Sequence, residues 1–152
     1  MAGRAGKPVT RPSAFWDTTA LVPLCVRQRI TPRAIAWYQT HNIVVWWSAP
    51  VEIASALARL VRMKQLTPGD LARARQLAKT LADSWSVIQP SDAISINAAQ
   101  LVDRYDLRAA GSLQLAAALA WCGGVPQGRV FLTADQRLRE AALLSGFDAE
   151  QM

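Results

Sequence analysis

Three acidic residues, Asp17, Glu52 and Asp135, are the side chains of this sequence that could carry out chemistry together. Each lies shortly after a run of apolar residues, and the three runs are Ala14–Trp16, Ile43–Trp47 and Val130–Leu132. If these runs are parallel strands, their carboxyl ends form one edge of an open α/β sheet, where ligands bind in such folds. The three carboxylates would then meet at that edge.

A bound cation would make such a cluster of carboxylates tolerable. Two like charges about 4 Å apart repel each other by roughly 4 kcal/mol at an effective dielectric constant near 20. Mg²⁺ and Mn²⁺ prefer oxygen ligands, and Mg²⁺ keeps several waters, so a few protein carboxylates are sufficient. Such an ion can activate water and neutralise phosphate charge, as phosphodiester hydrolysis requires. The pattern therefore predicts a Mg²⁺ or Mn²⁺ site at Asp17, Glu52 and Asp135.

Each acid also has a local structural explanation. Asp17 and Asp135 precede predicted helices and could cap them, and Glu52 in a first helical turn would complement the helix dipole. The sole histidine, His41, precedes a strand, and no Ser-His pair, Cys-His pair or phosphate-binding glycine loop is indicated. The pattern is also compatible with a phosphatase or a phospho-acceptor domain. The phospho-acceptor is the weakest alternative because it needs a lysine after a late strand, where this chain has Arg137.

Strands that alternate with one or two helices would position these acids. The predicted strands are 14–17, 43–47, 85–88 and 129–132, with a further short strand at Phe147. The predicted helices are 18–28, 31–39, 50–63, 67–82, 92–104, 107–121 and 136–144. Ser48 is the predicted N-cap of the helix that carries Glu52. This order predicts an α/β fold with a mostly parallel central sheet of four or five strands and helices on both faces.

The length and composition are those of one globular domain, with 152 residues of which 51% are hydrophobic. We predict a flexible basic arm over residues 1–13 and the α/β domain over residues 14–152. The net charge is +6, and residues 1–33 carry six bases against the single acid Asp17. Bases around a small acidic cluster suit a polyanionic substrate, although surplus charge could also serve solubility alone.

Cysteine usage and hydropathy bear on the cellular compartment. Cys25 and Cys122 match no metal or redox spacing and have apolar neighbours, which predicts buried reduced thiols and a cytoplasmic protein. Residues 1–12 contain bases but no apolar core, so we expect no signal peptide. The uncharged stretch between Arg108 and Arg129 contains glycines, glutamines and a proline, so we expect no membrane span.

Four segments of the chain match the motifs of a known family in order, and they are Phe15–Leu21, Val51–Leu57, Tyr105–Leu115 and Val130–Leu138. The first three resemble the opening strand with the first metal acid, the segment with the second acid and the helix with the third. The fourth resembles the last strand, with its hydroxyl residue and fourth acid. The family is that of the PIN-domain ribonucleases, and in particular the VapC-like toxins of bacterial toxin–antitoxin pairs.

The resemblance implies a PIN-like fold and a Mg²⁺- or Mn²⁺-dependent endoribonuclease in which a metal-activated water cleaves RNA. It implies that Asp17, Glu52 and Asp135 are metal ligands and catalytic residues, and that Thr133 orients a ligand or a water. The implied partners are an RNA substrate, a small VapB-like antitoxin whose segment blocks the acidic pocket, and a second copy of the chain in a homodimer.

One position departs from the family pattern, because Gly111 stands where the family has a metal-binding Asp. Glycine in a helix interior costs roughly 1 kcal/mol relative to alanine, so local stability does not explain it. Three explanations are open: a natural variant that works with three acids, with water or Ser112 filling the gap; a catalytically silent module that binds RNA or a partner; or an inactivating change. Asp106 is predicted to be a poor substitute because five helical residues would place it elsewhere on the surface.

Overall fold

Four runs rich in β-branched and aromatic residues form the strands, since these side chains favour a pleated and buried surface. In the computed structural model, which describes residues 10–152, the strands are β1 Ser13–Trp16, β2 Asn42–Trp46, β3 Ser86–Ile88 and β4 Val130–Leu132. They form one sheet in the order β3-β2-β1-β4, and every neighbouring pair is parallel. The predicted α/β fold with a parallel sheet is therefore confirmed.

Seven helices connect or follow these strands in the described part of the chain. They are α1 Thr18–Cys25, α2 Thr31–Thr40, α3 Ala49–Arg62, α4 Pro68–Ala82, α5 Asp92–Arg104, α6 Ala109–Trp121 and α7 Gln136–Ser145. Helices α1–α4 contribute to the apolar cluster on one face of the sheet, and α5–α7 contribute to the cluster on the other face. The sheet is thus covered on both faces, as parallel sheets require.

The alternation of side chains along each strand divides the core into these two clusters. Phe15 of β1 packs with α5–α7, whereas its neighbours Ala14 and Trp16 belong to the cluster with α1–α4. Phe15 stacks on Phe131 of β4, with ring centroids 5.3 Å apart. Full burial of one large apolar side chain stabilises the fold by about 1.5–3 kcal/mol. The buried central strand β1 therefore holds the sheet between its two helical layers.

Two predicted helix ends differ from the structure by two or more residues, and one predicted strand is not formed. Helix α1 ends at Cys25 rather than at residue 28, because the backbone of Val26 is extended. Helix α6 begins at Ala109 rather than at residue 107, so Asp106 lies in the loop before it. A single parallel bridge between Val130 and Asp148 takes the place of the short strand predicted at Phe147.

The turn after α7 requires a glycine. Gly146 adopts a left-handed conformation with φ 108°, which L side chains rarely adopt. A Cβ at this position would lie 2.8 Å from Gln127 Nε2 and 3.0 Å from Pro126 Cγ. Both the backbone angle and the neighbouring segment therefore exclude a larger residue without rearrangement.

The remaining expectations about the chain have mixed outcomes. The predicted arm over residues 1–13 lies mostly outside the described residues, and its last residue, Ser13, is the first residue of β1. Cys25 and Cys122 are buried and free, as predicted, and burial raises the pKa of the Cys25 thiol to about 11. None of the helices within residues 10–152 is both long enough and apolar enough to span a bilayer.

Candidate functional site

The order of the strands brings Asp17 and Thr133 together. Strands β1 and β4 are neighbours, with Trp16 opposite Leu132, and Asp17 and Thr133 are the residues that follow. The amide of Asp17 continues the ladder by donating to the carbonyl of Leu132 at 2.9 Å. The chain leaves β1 towards β2 on one side, and β4 lies on the other side. This reversal of strand order creates the crevice in which open α/β sheets bind ligands.

Two threonine hydroxyls hold one oxygen of the Asp17 carboxylate. The hydroxyl of Thr19 donates to Asp17 Oδ2 at 2.6 Å, and that of Thr133 donates to the same oxygen at 2.8 Å. The Thr19 hydroxyl in turn accepts a hydrogen bond from the amide of Ala134 at 2.8 Å, and the Thr133 hydroxyl accepts one from the amide of Asp135 at 3.0 Å. The amide of Thr19 also donates to Oδ2, at 3.4 Å, whereas Oδ1 accepts no hydrogen bond from the described residues. The network therefore fixes the carboxylate and leaves Oδ1 for a ligand.

The surroundings of Asp17 disfavour its negative charge. Only 5% of the residue is exposed, and this burial is the largest cause that raises the pKa of Asp17. The hydroxyls of Thr19 and Thr133 act in the opposite direction, and the nearby charge of Glu52 raises the pKa further. The net direction is upward, so a cation beside Asp17 would stabilise the ionised carboxylate.

Glu52 is the second acid at this edge of the sheet. It lies in the first turn of α3, where its Oε2 accepts from Ser48 Oγ at 2.8 Å and from Gln114 Nε2 at 2.9 Å. Ser48 is the N-cap residue of α3, as predicted, but its hydroxyl donates to Glu52 and caps no backbone amide. Oε1 of Glu52 accepts no hydrogen bond from the described residues. Glu52 thus repeats the arrangement of Asp17, with one anchored oxygen and one oxygen left for a ligand.

A surface cavity of about 570 Å³ opens beside Glu52, and we call it the site cavity. Thr18 and Thr19, the residues after Asp17, also line it, and the buried hydroxyl of Thr18 has no hydrogen-bond partner. Carboxylate and hydroxyl oxygens are the ligands that Mg²⁺ and Mn²⁺ prefer. The chemistry of these oxygen atoms therefore suits a hard divalent cation at this edge of the sheet.

Asp135 has the local role that its position before a predicted helix also allowed. Its Oδ1 accepts the amide of Leu138 at 3.1 Å, so its side chain caps α7. Asp135 is exposed and lines a separate cavity of about 420 Å³ together with Gly111. Within residues 10–152, no three His, Cys, Asp or Glu side chains are placed to hold a metal ion. Asp17 and Glu52 are close enough for the charge of Glu52 to raise the pKa of Asp17, and metal ligation by Asp17, Glu52 and Asp135 stays a prediction.

Gly111 is the third residue of α6, and the space around it admits a side chain. A Cβ there would lie 3.7 Å from Leu107 Cδ2 and 4.0 Å from Leu138 Cδ1, which are ordinary contact distances. The expected remoteness of Asp106 is wrong, because Asp106 lines the same cavity as Gly111. The carboxylate of Asp106 is 87% exposed and forms an ion pair with Arg137 at 3.4 Å.

Sequence reasoning missed Thr19 and Gln114 as members of this site. Thr19 follows Asp17 by two residues, and this spacing is typical of a side chain that bonds to a helix cap. Gln114 is a polar residue within an alanine-rich helix, and it is only 2% exposed. Its Nε2 bonds to Glu52, and its Oε1 is buried without a partner. A buried amide in an apolar helix was the available signal for Gln114, since buried polar groups are rare unless they bond to something.

No protein-family model matches this chain, and no curated protein matches it. A solved structure described as a toxin–antitoxin complex from Klebsiella pneumoniae has a similar fold, with a TM-score of 0.57 at 18% sequence identity. The similarity covers 82% of this chain and 88% of that chain. At this level of identity the likeness extends to the fold, and the fold is the α/β architecture with a parallel sheet described above.

Proposed function

We propose that this chain is the toxin of a toxin–antitoxin pair and a Mg²⁺- or Mn²⁺-dependent endoribonuclease of the VapC type within the PIN-domain family. The observation that carries the proposal is the pairing of Asp17 and Glu52 at the reversal of strand order, each with one anchored oxygen and one free oxygen. The fold likeness to a chain of a toxin–antitoxin complex supports the same assignment. The motifs of the four segments around Asp17, Glu52, Gly111 and Asp135 agree with it.

In this proposal the chain's own residues hold and orient the reacting groups. Asp17 and Glu52 would hold the cation, while Thr19 and Thr133 keep the Asp17 carboxylate in one orientation. A divalent cation held there would supply an activated water and would neutralise charge on the scissile phosphate. Asp135 completes the set of acids on the other side of Thr133, whose hydroxyl accepts the Asp135 amide.

The proposed partners follow from the same assignment. They are RNA as the substrate, a VapB-like antitoxin that covers the acidic pocket, and a second copy of the chain. The solved neighbour is itself a chain of a toxin–antitoxin complex, which supports an antitoxin partner.

A second candidate function is a PIN-like module that binds RNA or a partner without cleaving RNA. Gly111 favours this alternative, since it removes one of the four acids of the family pattern. The position of Asp135 favours it as well, because one oxygen of its carboxylate is already bonded to the amide of Leu138 in α7.

Cleavage of RNA in the presence of Mn²⁺ tests the proposal. We expect the purified chain to cut a labelled RNA with Mn²⁺ and to lose this activity in EDTA. Asp17→Asn, which keeps the shape of the side chain but removes its charge, is the control against a contaminating nuclease. Cleavage that persists unchanged in Asp17→Asn would refute the assignment, and RNA binding without any cleavage would support the silent module.

A further inference from the structure

Exposed arginines surround the cavities next to the carboxylate site. The site cavity shares Gln28, Leu60 and Gln65 with a cavity of about 400 Å³, and it shares Ile30 with another of about 430 Å³. We call the surface formed by these three neighbouring cavities the arginine groove. Five arginines line it: Arg27, Arg29, Arg33, Arg59 and Arg73. The groove begins at Glu52 and extends over the loop between α1 and α2.

These arginines lack acidic partners. The only ion pair within 4 Å among residues 10–152 is the distant one between Arg137 and Asp106, and residues 1–9 contain no Asp or Glu. Two acids line the groove, and they are Glu52 and Asp70. Asp70 accepts a hydrogen bond from the Thr67 hydroxyl at 2.7 Å. The groove therefore presents five exposed arginines that form no ion pair within residues 10–152.

We propose that the arginine groove binds the phosphate backbone of a single RNA strand and leads that strand to Asp17 and Glu52. This inference rests on the proposed ribonuclease function. Arginine binds phosphate through paired N–H donors, and a nucleic-acid strand offers one such charge at every nucleotide. An acidic peptide would match the arginines of the groove only if it carried a comparable run of carboxylates.

The salt dependence of RNA binding in EDTA tests this proposal without requiring cleavage. Binding of a fluorescent uridine oligonucleotide would be measured by anisotropy for wild type and for two triple variants of equal net charge. The groove variant carries Arg29→Gln, Arg33→Gln and Arg59→Gln. The control variant carries Arg62→Gln, Arg75→Gln and Arg104→Gln, at positions that line none of the three cavities.

We expect the groove variant to lower the slope of log K against log salt by about 2, because each lost contact to a single strand removes about 0.7. The control should lower it by less than half as much, and circular dichroism would establish that both variants are folded. Equal slopes for the two variants, or tighter binding of polyglutamate than of RNA, would overturn the inference. RNA cleavage with no groove dependence would leave the proposed function intact, and groove-dependent binding without cleavage would leave only the inference intact.

Discussion

Replacing Gly111 by Asp supplies the acid that the family has at this position, and the structure sets the size of the effect. A Cβ here makes only ordinary contacts, with Leu107 and Leu138, so no steric cost is expected. Aspartate is better than glycine in a helix by about 0.3 kcal/mol, and an acid in the first turn adds about 0.3–1 kcal/mol. Gly111→Asp should therefore be more stable than wild type by about 0.6–1.3 kcal/mol.

Thermal unfolding in EDTA measures this gain, since 1 kcal/mol raises the Tm of a domain of this size by about 2–4 °C. Gly111→Asn is the matched control, because it has the same shape without the charge. Titration with Mn²⁺ then examines metal binding. A ligand specific for the folded state stabilises it by about 2.7 kcal/mol at 100 times its Kd. Mn²⁺ should therefore raise the Tm of Gly111→Asp more than that of Gly111→Asn.

Two results would refute this reasoning. Equal responses of the two variants to Mn²⁺ would show that position 111 takes no part in a metal site. A lower Tm for Gly111→Asp than for Gly111→Asn in EDTA would show that repulsion from neighbouring acids exceeds the helix-dipole term. RNA cleavage that appears only in Gly111→Asp would assign the silent alternative to the present chain.

Three further predictions concern stability. Burial raises the pKa of Asp17, so protonation of this carboxyl stabilises the folded state. This stabilisation is fully present below the ordinary pKa of 3.8 and is lost as pH rises through the raised pKa. The Tm of Asp17→Asn should therefore rise relative to that of wild type towards neutral pH, and parallel pH profiles of the two Tm values would contradict this. Gln114→Leu should change the free energy of unfolding in urea by less than about 1 kcal/mol, because the lost bond to Glu52 is offset by removal of the unpartnered Oε1. A loss above about 2 kcal/mol would contradict that balance. Gly146→Ala should lose about 1–3 kcal/mol in the same assay. The loss should exceed that of Gly128→Ala, which also has a positive φ, of 74°, but whose added Cβ meets nothing within 4 Å. Equal losses would show that Pro126 and Gln127 move away from the added Cβ at position 146 without cost.

The strands and the place of Asp17 could be predicted from the sequence because both depend on local patterns. An apolar run followed by an acid is visible in the residues around Asp17 and around Asp135. The contact between Asp17 and Thr133 depends on strand order, which hydrophobic periodicity does not specify. Only the resemblance to a family placed Thr133 in the predicted site. The two residues are separated by 116 positions, and nothing local specifies that β4 pairs with β1.

Two features of the site depended on orientations that the sequence does not specify. Helix α6 is apolar on all sides, so no polar face indicated which residues turn towards α3, and the bond from Gln114 to Glu52 was missed. The side chain of Asp135 bonds to the first turn of α7, and its place in a shared metal site stays a prediction. A local cap satisfies an amide that the helix leaves unpaired, and it requires no approach of like charges.

The central place of β1 in the sheet has a consequence for how the protein is synthesised. The ribosome makes β1 first among the strands and β4 last, although the two are neighbours in the folded sheet. Until residue 133 has been synthesised, Asp17 therefore lacks Thr133, the hydroxyl that helps to orient its carboxylate. A nascent chain that stops before residue 133 contains the first acid without its support. The assembled centre therefore forms only after β4 has been synthesised and has paired with β1.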